Sequence, residues 1–312
     1  MYTPLRFSKK RHIRTQASVN FNKPTAGSGQ KARNRRKDIM RHKSSHNHRG
    51  RPQKAPNHDG RKGVIPRIAA NLFGFHAVSE AWINPQRHFH ALYMTETTRA
   101  EFEPFLKDAQ AAGLRRPPIQ IVNKDVIDRA LPRDTVHQGI AADTEPLEEI
   151  DLSDVMREID QAGKGLLLML DQVTDPHNVG AIMRSACAFG VKGIVMQSMN
   201  APEIGGIIAK TACGAAEHIP LLYETNLTRA MDALKRDGFF IYGLDERGEV
   251  DIAKLNPAPK SVIVLGAEGA GLRRLLKENC DQLVSLPTTG RIKSLNVSNA
   301  AAVAVFAAIQ KL

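Results

Sequence analysis

The sequence predicts an α/β protein: a C-terminal domain with a parallel sheet covered by helices on both faces, a small mixed α/β domain before it, and a basic N-terminal arm. Continuous apolar runs of strand length, such as residues 166–170, are typical of strands buried on both faces of a parallel sheet. These runs alternate with segments of helical periodicity, which favours repeated βα units. A length of 312 residues fits two domains of about 150 residues.

The first 67 residues hold 19 Lys and Arg against two acids, a net charge of +17, so the other 245 residues carry −5 of the total of +12. This segment has few large apolar side chains and cannot offset its ordering entropy, which predicts a disordered arm over 1–67. Clustered cations release counterions from a polyanion, which favours RNA binding by residues such as Arg35, Arg36 and Lys37. A solubilising tail and an organellar transit peptide are the alternatives.

Residues 68–145 are predicted to form the small domain, in which helices and strands alternate. Asn84-Pro85 ends the first helix and Gly113 the second. The acidic stretch at 144–149 reads as the linker. The predicted helices cover 75–83, 99–112 and 124–131, and the predicted strands cover 89–94, 119–122 and 138–142.

Residues 146–312 are predicted to form the second domain. Ligands of such sheets bind outside the carboxyl ends of the strands, so polar clusters at those ends are the candidate sites. The predicted helices cover 152–162, 179–189, 205–211, 227–236, 272–278 and 295–309. The predicted strands cover 166–170, 193–196, 217–221, 239–244, 261–265 and 282–286.

Several classes of protein are disfavoured by composition. The longest apolar run, 300–309, is shorter than the roughly 20 residues of a membrane span, and no apolar signal segment opens the chain. Three cysteines cannot build a disulfide framework, so a reducing cytoplasm is expected. Neither a metal-ligand spacing nor a nucleophile motif stands out, and no metal is expected. The chain has only 16 aromatic residues, and this low number disfavours a nucleic-acid-binding domain that stacks bases on aromatic side chains.

The first polar cluster, 171–184, follows the apolar run at 166–170. Asn178 and Arg184 are six residues apart, and both are expected near the start of the helix. Together they would form a polar shelf at the ligand edge of the sheet. A helix cap with an unrelated surface arginine is the alternative.

The second cluster is a glycine-rich loop at 265–272. A dinucleotide fingerprint would need glycine where Glu268 stands between Gly266 and Gly271, and a carboxylate would repel a pyrophosphate. The loop better suits a ligand with positive charge and hydroxyl groups. A tight turn with a capping glutamate is the alternative.

The third cluster, 286–299, leads from a strand into a very apolar helix. Arg291 and Lys293 make this loop basic, which suits contact with RNA. Ser294 or Asn296 could be a plain N-cap. The polar groups would nevertheless crowd at the rim of a core, where a binding site is expected.

In these clusters the sequence resembles the SpoU (TrmH) family of RNA 2′-O-ribose methyltransferases, in the SPOUT superfamily. Over residues 165–312, three family motifs occur in order. They are N-x-G-x-x-x-R at 178–184, G-x-E-x-x-G at 266–271, and P-x-x-G followed by S-L-N-V-S at 287–298. Residues 74–145 also look like the small substrate-binding domain of the family's ribosomal-RNA members.

The resemblance implies a C-terminal trefoil knot, a homodimer with the knots at its interface, and S-adenosylmethionine as methyl donor. The donor contacts it implies are Gly266, Leu286 and Leu295, with Glu268 and Ser294 close by.

The catalytic group that the resemblance implies contains Arg184, Asn178, Glu268, Ser294 and Asn296. Arg184 would act as proton acceptor or would stabilise the developing alkoxide. Asn178 would position the ribose or Arg184, and Glu268 and Asn296 would hold the group together.

The expected substrate is a guanosine of large-subunit (23S) ribosomal RNA, as in RlmB-like members. Transfer RNA is the second candidate. A non-catalytic RNA-binding factor in ribosome assembly is the alternative of another class.

Overall fold

The structure is a computed structural model, which describes residues 67–199, 201–202, 205–291 and 294–312. The predicted RNA contacts Arg35, Arg36, Lys37 and Lys293 lie outside these residues, as does the predicted arm except for its last residue.

The names small domain and second domain are kept below for the predicted ranges 68–145 and 146–312. The small domain contains a four-stranded mixed sheet, in the order β1-β4-β2-β3 along the described chain. Strand β1, which the sequence analysis missed, is only two residues long and pairs with β4. Helix α2 begins earlier than predicted because Thr95 caps it by accepting a hydrogen bond from the Thr98 backbone N–H. The elements are β1 (Leu72–Phe73), α1 (Phe75–Ile83), β2 (Phe89–Met94), α2 (Glu96–Ala111), β3 (Ile119–Ile121), α3 (Lys124–Ala130) and β4 (Ile140–Thr144).

The second domain is built on a parallel sheet, as predicted, with the order β7-β6-β5-β10-β8-β11-β9 among the described residues. Its elements are α4 (Leu152–Ala162), β5 (Gly165–Asp171), α5 (Pro176–Ala188), β6 (Gly193–Gln197), α6 (Gly206–Thr211), β7 (Leu221–Glu224), α7 (Leu227–Arg236), β8 (Phe240–Leu244), β9 (Val250–Asp251), β10 (Lys260–Gly266), α8 (Arg274–Glu278), β11 (Gln282–Ser285) and α9 (Val297–Ile309).

Strand β5 shows why the apolar run at 166–170 is continuous. Leu166, Leu168 and Leu170 point into a core with α5 and α9 on one face, while Leu167 and Met169 join α4 and α7 on the other. Successive side chains of a strand alternate between faces, so a strand covered on both sides must be apolar throughout. The predicted α/β architecture with helices on both faces is confirmed.

One predicted strand, at 217–221, is wrong. The chain forms a 3-10 turn at Ala215–Glu217, and the strand begins only at Leu221. Gly214 enters this turn with φ of +88°, and Glu217 is an ion-pair partner rather than a sheet residue. Ile219 and Leu221, two residues apart in the predicted range, are both buried, and this alternation is why the apolar pattern looked like a strand.

The sheet order brings the first two polar clusters together. Asp171 and Gly266, the last residues of β5 and β10, are paired in register. Strand β8 separates β10 from β11, which leads into the third cluster. All three clusters therefore follow strands at the carboxyl edge of the sheet. The trefoil knot that the family resemblance implies stays a prediction. In the described part of the chain, no helix is long and apolar enough to cross a membrane.

Candidate active site

Asn296 links the three polar clusters at the candidate site, because its side chain is hydrogen-bonded to residues of the other two. Its Nδ2 group donates to Glu268 Oε1 at 2.6 Å and to Asn178 Oδ1 at 2.9 Å. Its Oδ1 accepts from the Ser298 backbone N–H at 2.9 Å, so the same side chain is the N-cap of α9. The N-cap interpretation of Asn296 is therefore confirmed, while its role in a functional site stays a prediction. The hydrogen-bonded group contains one residue from each of the three clusters.

Glu268 is exposed, yet two hydrogen bonds fix its Oε1 atom. Besides the Asn296 amide, the Val297 backbone N–H donates to it at 3.3 Å. Its negative charge thus lies at the N-terminus of α9, where the helix dipole favours it. The alternative of a glutamate that caps the helix of its own βα turn is wrong, because that helix, α8, begins only at Arg274.

The glycines of the second cluster are required by the turn itself. A Cβ atom on Gly266 would lie 2.1 Å from the carbonyl carbon of Gly271, and Gly271 has φ of +67°. An antiparallel bridge between Ala267 and Gly271 closes the loop. This tight turn is what carries Glu268 out to the edge.

Arg184 lies apart from the Asn178–Glu268–Asn296 group. It is exposed, it lies in the middle of α5, and its Nη1 group donates to Cys213 Sγ at 3.3 Å. The expectation that Asn178 and Arg184 both lie near the helix start is wrong for Arg184. Six residues turn a helix by about 600°, so the two side chains leave α5 on different sides.

Gly180, the middle residue of the first motif, has a packing role. A Cβ atom there would lie 2.7 Å from Thr211 Cβ and 3.0 Å from the Ile208 carbonyl oxygen. Glycine therefore lets α6 approach α5 closely, and this position does not contribute a side chain to the site.

A second polar group, which was not predicted, lies at the same edge and contains Asp171, the first residue of the first cluster. Asp171 is completely buried and accepts from the backbone N–H of Arg273 at 2.8 Å and from its Nε at 2.6 Å. The same guanidinium donates to Gln197 Oε1 at 3.1 Å. A cavity of about 130 Å³ lies beside it, lined by Leu170, Met196 and Met199 among others. A charged residue that ends an apolar strand was the available signal.

The predicted donor-contact residues include two leucines that are not fully buried. Leu286 is half-buried, and Leu295 is 45% exposed, which is unusual for a large apolar side chain. Ser294 is exposed next to it, and Arg291 is exposed in the same loop. Among the described residues, no group of three or more His, Cys, Asp or Glu side chains could hold a metal ion.

Two family models match the chain. The SpoU rRNA Methylase family matches residues 165–306, which contain the three clusters. A model described as RNA 2′-O ribose methyltransferase substrate binding matches residues 72–150, which contain the small domain.

Curated relatives match over most of their lengths. The 23S rRNA (guanosine-2′-O-)-methyltransferase RlmB of Shewanella oneidensis is 38% identical over 245 residues, which cover 77% of this chain and 96% of the relative. The protein of that name from Pasteurella multocida is 35% identical over 247 residues, which cover 78% and 99%. The Escherichia coli K12 protein is 34% identical over 244 residues, which cover 77% and 98%.

Solved structures of low identity share the fold. The SpoU methyltransferase AviRb from Streptomyces viridochromogenes, in complex with AdoMet, superposes with a TM-score of 0.63 at 22% identity, and the match covers 77% of this chain and 89% of that one. An AdoMet-bound rRNA methyltransferase from Sinorhizobium meliloti gives a TM-score of 0.63 at 23% identity, with coverage of 78% and 87%.

Proposed function

The chain belongs to the SpoU rRNA methylase family, and we propose that it methylates the ribose 2′-hydroxyl of a guanosine in 23S ribosomal RNA, with S-adenosylmethionine as donor. The observation that carries this proposal is the hydrogen-bonded group of Asn178, Glu268 and Asn296, drawn from three separate motifs at one sheet edge. Such a group needs all three motifs intact, which disfavours a non-catalytic assembly factor.

Ribosomal RNA is favoured over transfer RNA by the small domain. Residues 72–150 match a substrate-binding model, and the relatives that share both domains carry the name of a 23S rRNA enzyme. The proposed substrate agrees with the expectation from the sequence.

The edge of the sheet fits the methyl donor. Leu286 and the exposed Leu295 would cover its apolar base, and the backbone at Gly266 would bind its polar groups, with Ser294 nearby. Glu268 supplies negative charge near a cationic ligand. When bound, the sulfonium supplies an already activated methyl group.

The chain's own residues then align the hydroxyl and stabilise its charge. Asn178 Oδ1 accepts from Asn296, which leaves the Asn178 Nδ2 group to donate to a ribose or phosphate oxygen. A guanidinium is a cation with five N–H donors and no acceptor, so we assign Arg184 to the developing alkoxide and the adjacent phosphate rather than to general-base chemistry. Well-oriented reactants can account for about 7–11 kcal/mol of the barrier.

A homodimer is part of the proposal. Val303 and Phe306 on α9 are 44% and 51% exposed, and the Phe306 ring lies 5.6 Å from that of Phe189. Exposed aromatic and aliphatic side chains on one helix face are typical of a protein interface. A second copy of the chain is the proposed partner.

The basic segment 1–67 is proposed as a general RNA-affinity arm, with Arg35, Arg36 and Lys37 among its cations and Arg291 and Lys293 as local contacts. Deletion of the arm is expected to weaken RNA binding and to lower its salt dependence while donor binding stays intact. Unchanged RNA affinity and an unchanged salt dependence would show that the arm is only a solubility tail.

The proposed rRNA substrate also leads us to propose a cytoplasmic location for the protein.

Methyl transfer in vitro tests the proposed function. The purified chain and an Asn296→Ala variant are incubated with S-adenosylmethionine labelled in its methyl group and with unmodified 23S rRNA or transfer RNA, and the nucleosides are then separated. We expect labelled 2′-O-methylguanosine from 23S rRNA with the wild-type chain, and none with the variant. Label in transfer RNA alone, or RNA binding with no label in either RNA, would contradict the proposal.

A further inference from the structure

The segment 206–217, which contains α6 and the 3-10 turn after it, lies against the small domain. A Cβ atom on Gly206 would lie 2.0 Å from the Phe73 ring, and one on Gly214 would lie 2.2 Å from Glu80 Cγ. Ala209 is buried in the core of the small domain. Glycine is thus needed at two positions where this segment meets residues of the small domain.

Glu217 joins the two parts by a buried bidentate ion pair. Arg87 Nη2 donates to its Oε1 at 2.6 Å and Arg87 Nε to its Oε2 at 3.1 Å, while Asn84 Nδ2 donates to Oε2 at 2.9 Å. The side chains of Arg87 and Glu217 are 8% and 1% exposed. Bidentate geometry fixes direction as well as distance.

Arg116 stabilises the segment 82–87, which contains Asn84 and Arg87. Its guanidinium donates to the carbonyl oxygens of Trp82, Asn84 and Arg87 at 2.8, 2.7 and 2.7 Å. It also lies 5.6 Å from the centre of the Trp82 ring system. Arg87 Nη1 donates in addition to the Glu145 carbonyl oxygen at 2.8 Å. Hydrogen bonds that do not involve Glu217 therefore fix the positions of Asn84 and Arg87.

The same segment touches the candidate catalytic arginine. Cys213, four residues before Glu217, accepts from Arg184 Nη1 at 3.3 Å. Helix α6 also packs closely on α5 at Gly180, and α5 carries both Asn178 and Arg184. The segment 206–217 is thus a continuous physical link between the small domain and α5.

We propose that Glu217 is a positioning residue: through Arg87 and Asn84 it fixes the small domain on the segment 206–217, so that RNA held by the small domain presents its target ribose to Arg184 and Asn178. The inference rests on the proposed function for its substrate. Neither Arg87 nor Glu217 touches the reacting atoms in this account, and the pair sets the orientation of one domain relative to the other.

The buried position of the pair supports a role in orientation. Desolvation of two charges offsets much of their attraction, so such a pair adds little net stability but disfavours any arrangement that leaves one charge buried alone. The nearby pair of His218 and Glu80 differs, because its side chains are 43% and 34% exposed. Exposed pairs contribute little, which makes Glu80 a matched control at the same interface.

Three variants of the full chain test the proposal: Glu217→Gln, the double variant Arg87→Met/Glu217→Gln, and the control Glu80→Gln. The double variant removes both charges, so it leaves no uncompensated buried charge to unfold the chain. The readouts are kcat and KM on a 23S rRNA fragment, with kcat referred to the number of donor-binding sites, and hydrogen exchange of the 84–87 and 214–217 amides.

Both Glu217 variants are expected to lose about tenfold in kcat per donor-binding site, with KM and donor affinity within about twofold of wild type, because RNA still binds but its ribose is misaligned. Exchange should rise at 84–87 and 214–217 and stay unchanged in α5, and Glu80→Gln should behave as wild type. Wild-type kcat in both Glu217 variants, or a loss of donor binding in step with kcat, would overturn the proposal. If the wild-type chain methylates no rRNA, the proposed function fails, and the exchange result alone decides whether Glu217 holds the small domain.

Discussion

The Nδ2 group of Asn296 lies 2.6 Å from Oε1 of Glu268, although 28 residues separate the two in the chain. Glu268 follows β10 and Asn296 begins α9, and the parallel sheet brings both to one edge. The carboxylate fixes the amide, and the amide in turn reaches Asn178 at 2.9 Å. This relationship makes the role of Glu268 testable apart from any direct contact with substrate.

Replacement of Glu268 by alanine is expected to lower single-turnover methyl transfer by about 100-fold, because Asn296 and the start of α9 lose their acceptor. Glu268→Gln keeps an acceptor oxygen and should retain more activity. Both variants should unfold near the wild-type temperature, since Glu268 is exposed. Equal activity of the alanine and glutamine variants would show that the hydrogen bond to Asn296 is not what matters.

Arg184→Ala is expected to bind the methyl donor normally and to lose methyl transfer, because the variant lacks the cation assigned to the developing alkoxide. Single-turnover transfer and donor binding by calorimetry separate the two effects. Arg157→Ala on α4 is the control, since that side chain is 65% exposed and pairs with Asp154 on its own helix. Near-normal turnover by Arg184→Ala would remove Arg184 from the mechanism.

Phe306→Asp should convert the proposed dimer into a monomer, because a charge in an apolar interface is costly to desolvate. Light scattering after size-exclusion chromatography measures the mass directly. Leu275→Asp is the control, since Leu275 is 59% exposed on α8, which packs on the other face of the sheet. A wild-type mass for Phe306→Asp would place the interface elsewhere.

Cys280 should resist alkylation in the folded chain. Burial raises the pKa of its thiol from 9.0 to about 12, and its Sγ donates to the Leu276 carbonyl oxygen at 3.2 Å. Because the folded pKa is the higher one, the stability from this group is present below pH 9 and is lost as the pH rises toward 12. Mass spectrometry after iodoacetamide treatment at mildly alkaline pH should find Cys280 unmodified, and modified once the chain is unfolded. Rapid alkylation in the folded chain would contradict this.

Much of the second domain could be predicted because its buried strands are recognisable from short runs of apolar residues in the sequence. Strand β5 is apolar on both faces, and the three clusters follow strands of one parallel sheet, so their meeting at one edge follows from topology. Asn296 was predicted as a cap or as a site residue. Its Oδ1 atom caps α9, and its Nδ2 group donates to Glu268, so the cap does not prevent a second role.

Two failures have different physical causes: a tertiary contact decides one, and the turn of a helix decides the other. Residues 217–221 look like a strand because Ile219 and Leu221, two residues apart, are both buried. Glu217 instead ends a 3-10 turn and its side chain pairs with Arg87, 130 residues earlier in the chain. Arg184 was placed beside Asn178 by sequence proximity, while the helix directs it toward Cys213. Neither partner can be read from local spacing.

We propose that this chain methylates a guanosine of 23S rRNA through the site at the carboxyl edge of its sheet. The most direct test maps 2′-O-methylated nucleotides in total RNA from cells with the gene, without it, and with the Arg184→Ala variant in its place. We expect that one 2′-O-methylguanosine of 23S rRNA disappears without the gene and is not restored by the variant. A signal lost only from transfer RNA, or restored in full by the variant, would contradict it.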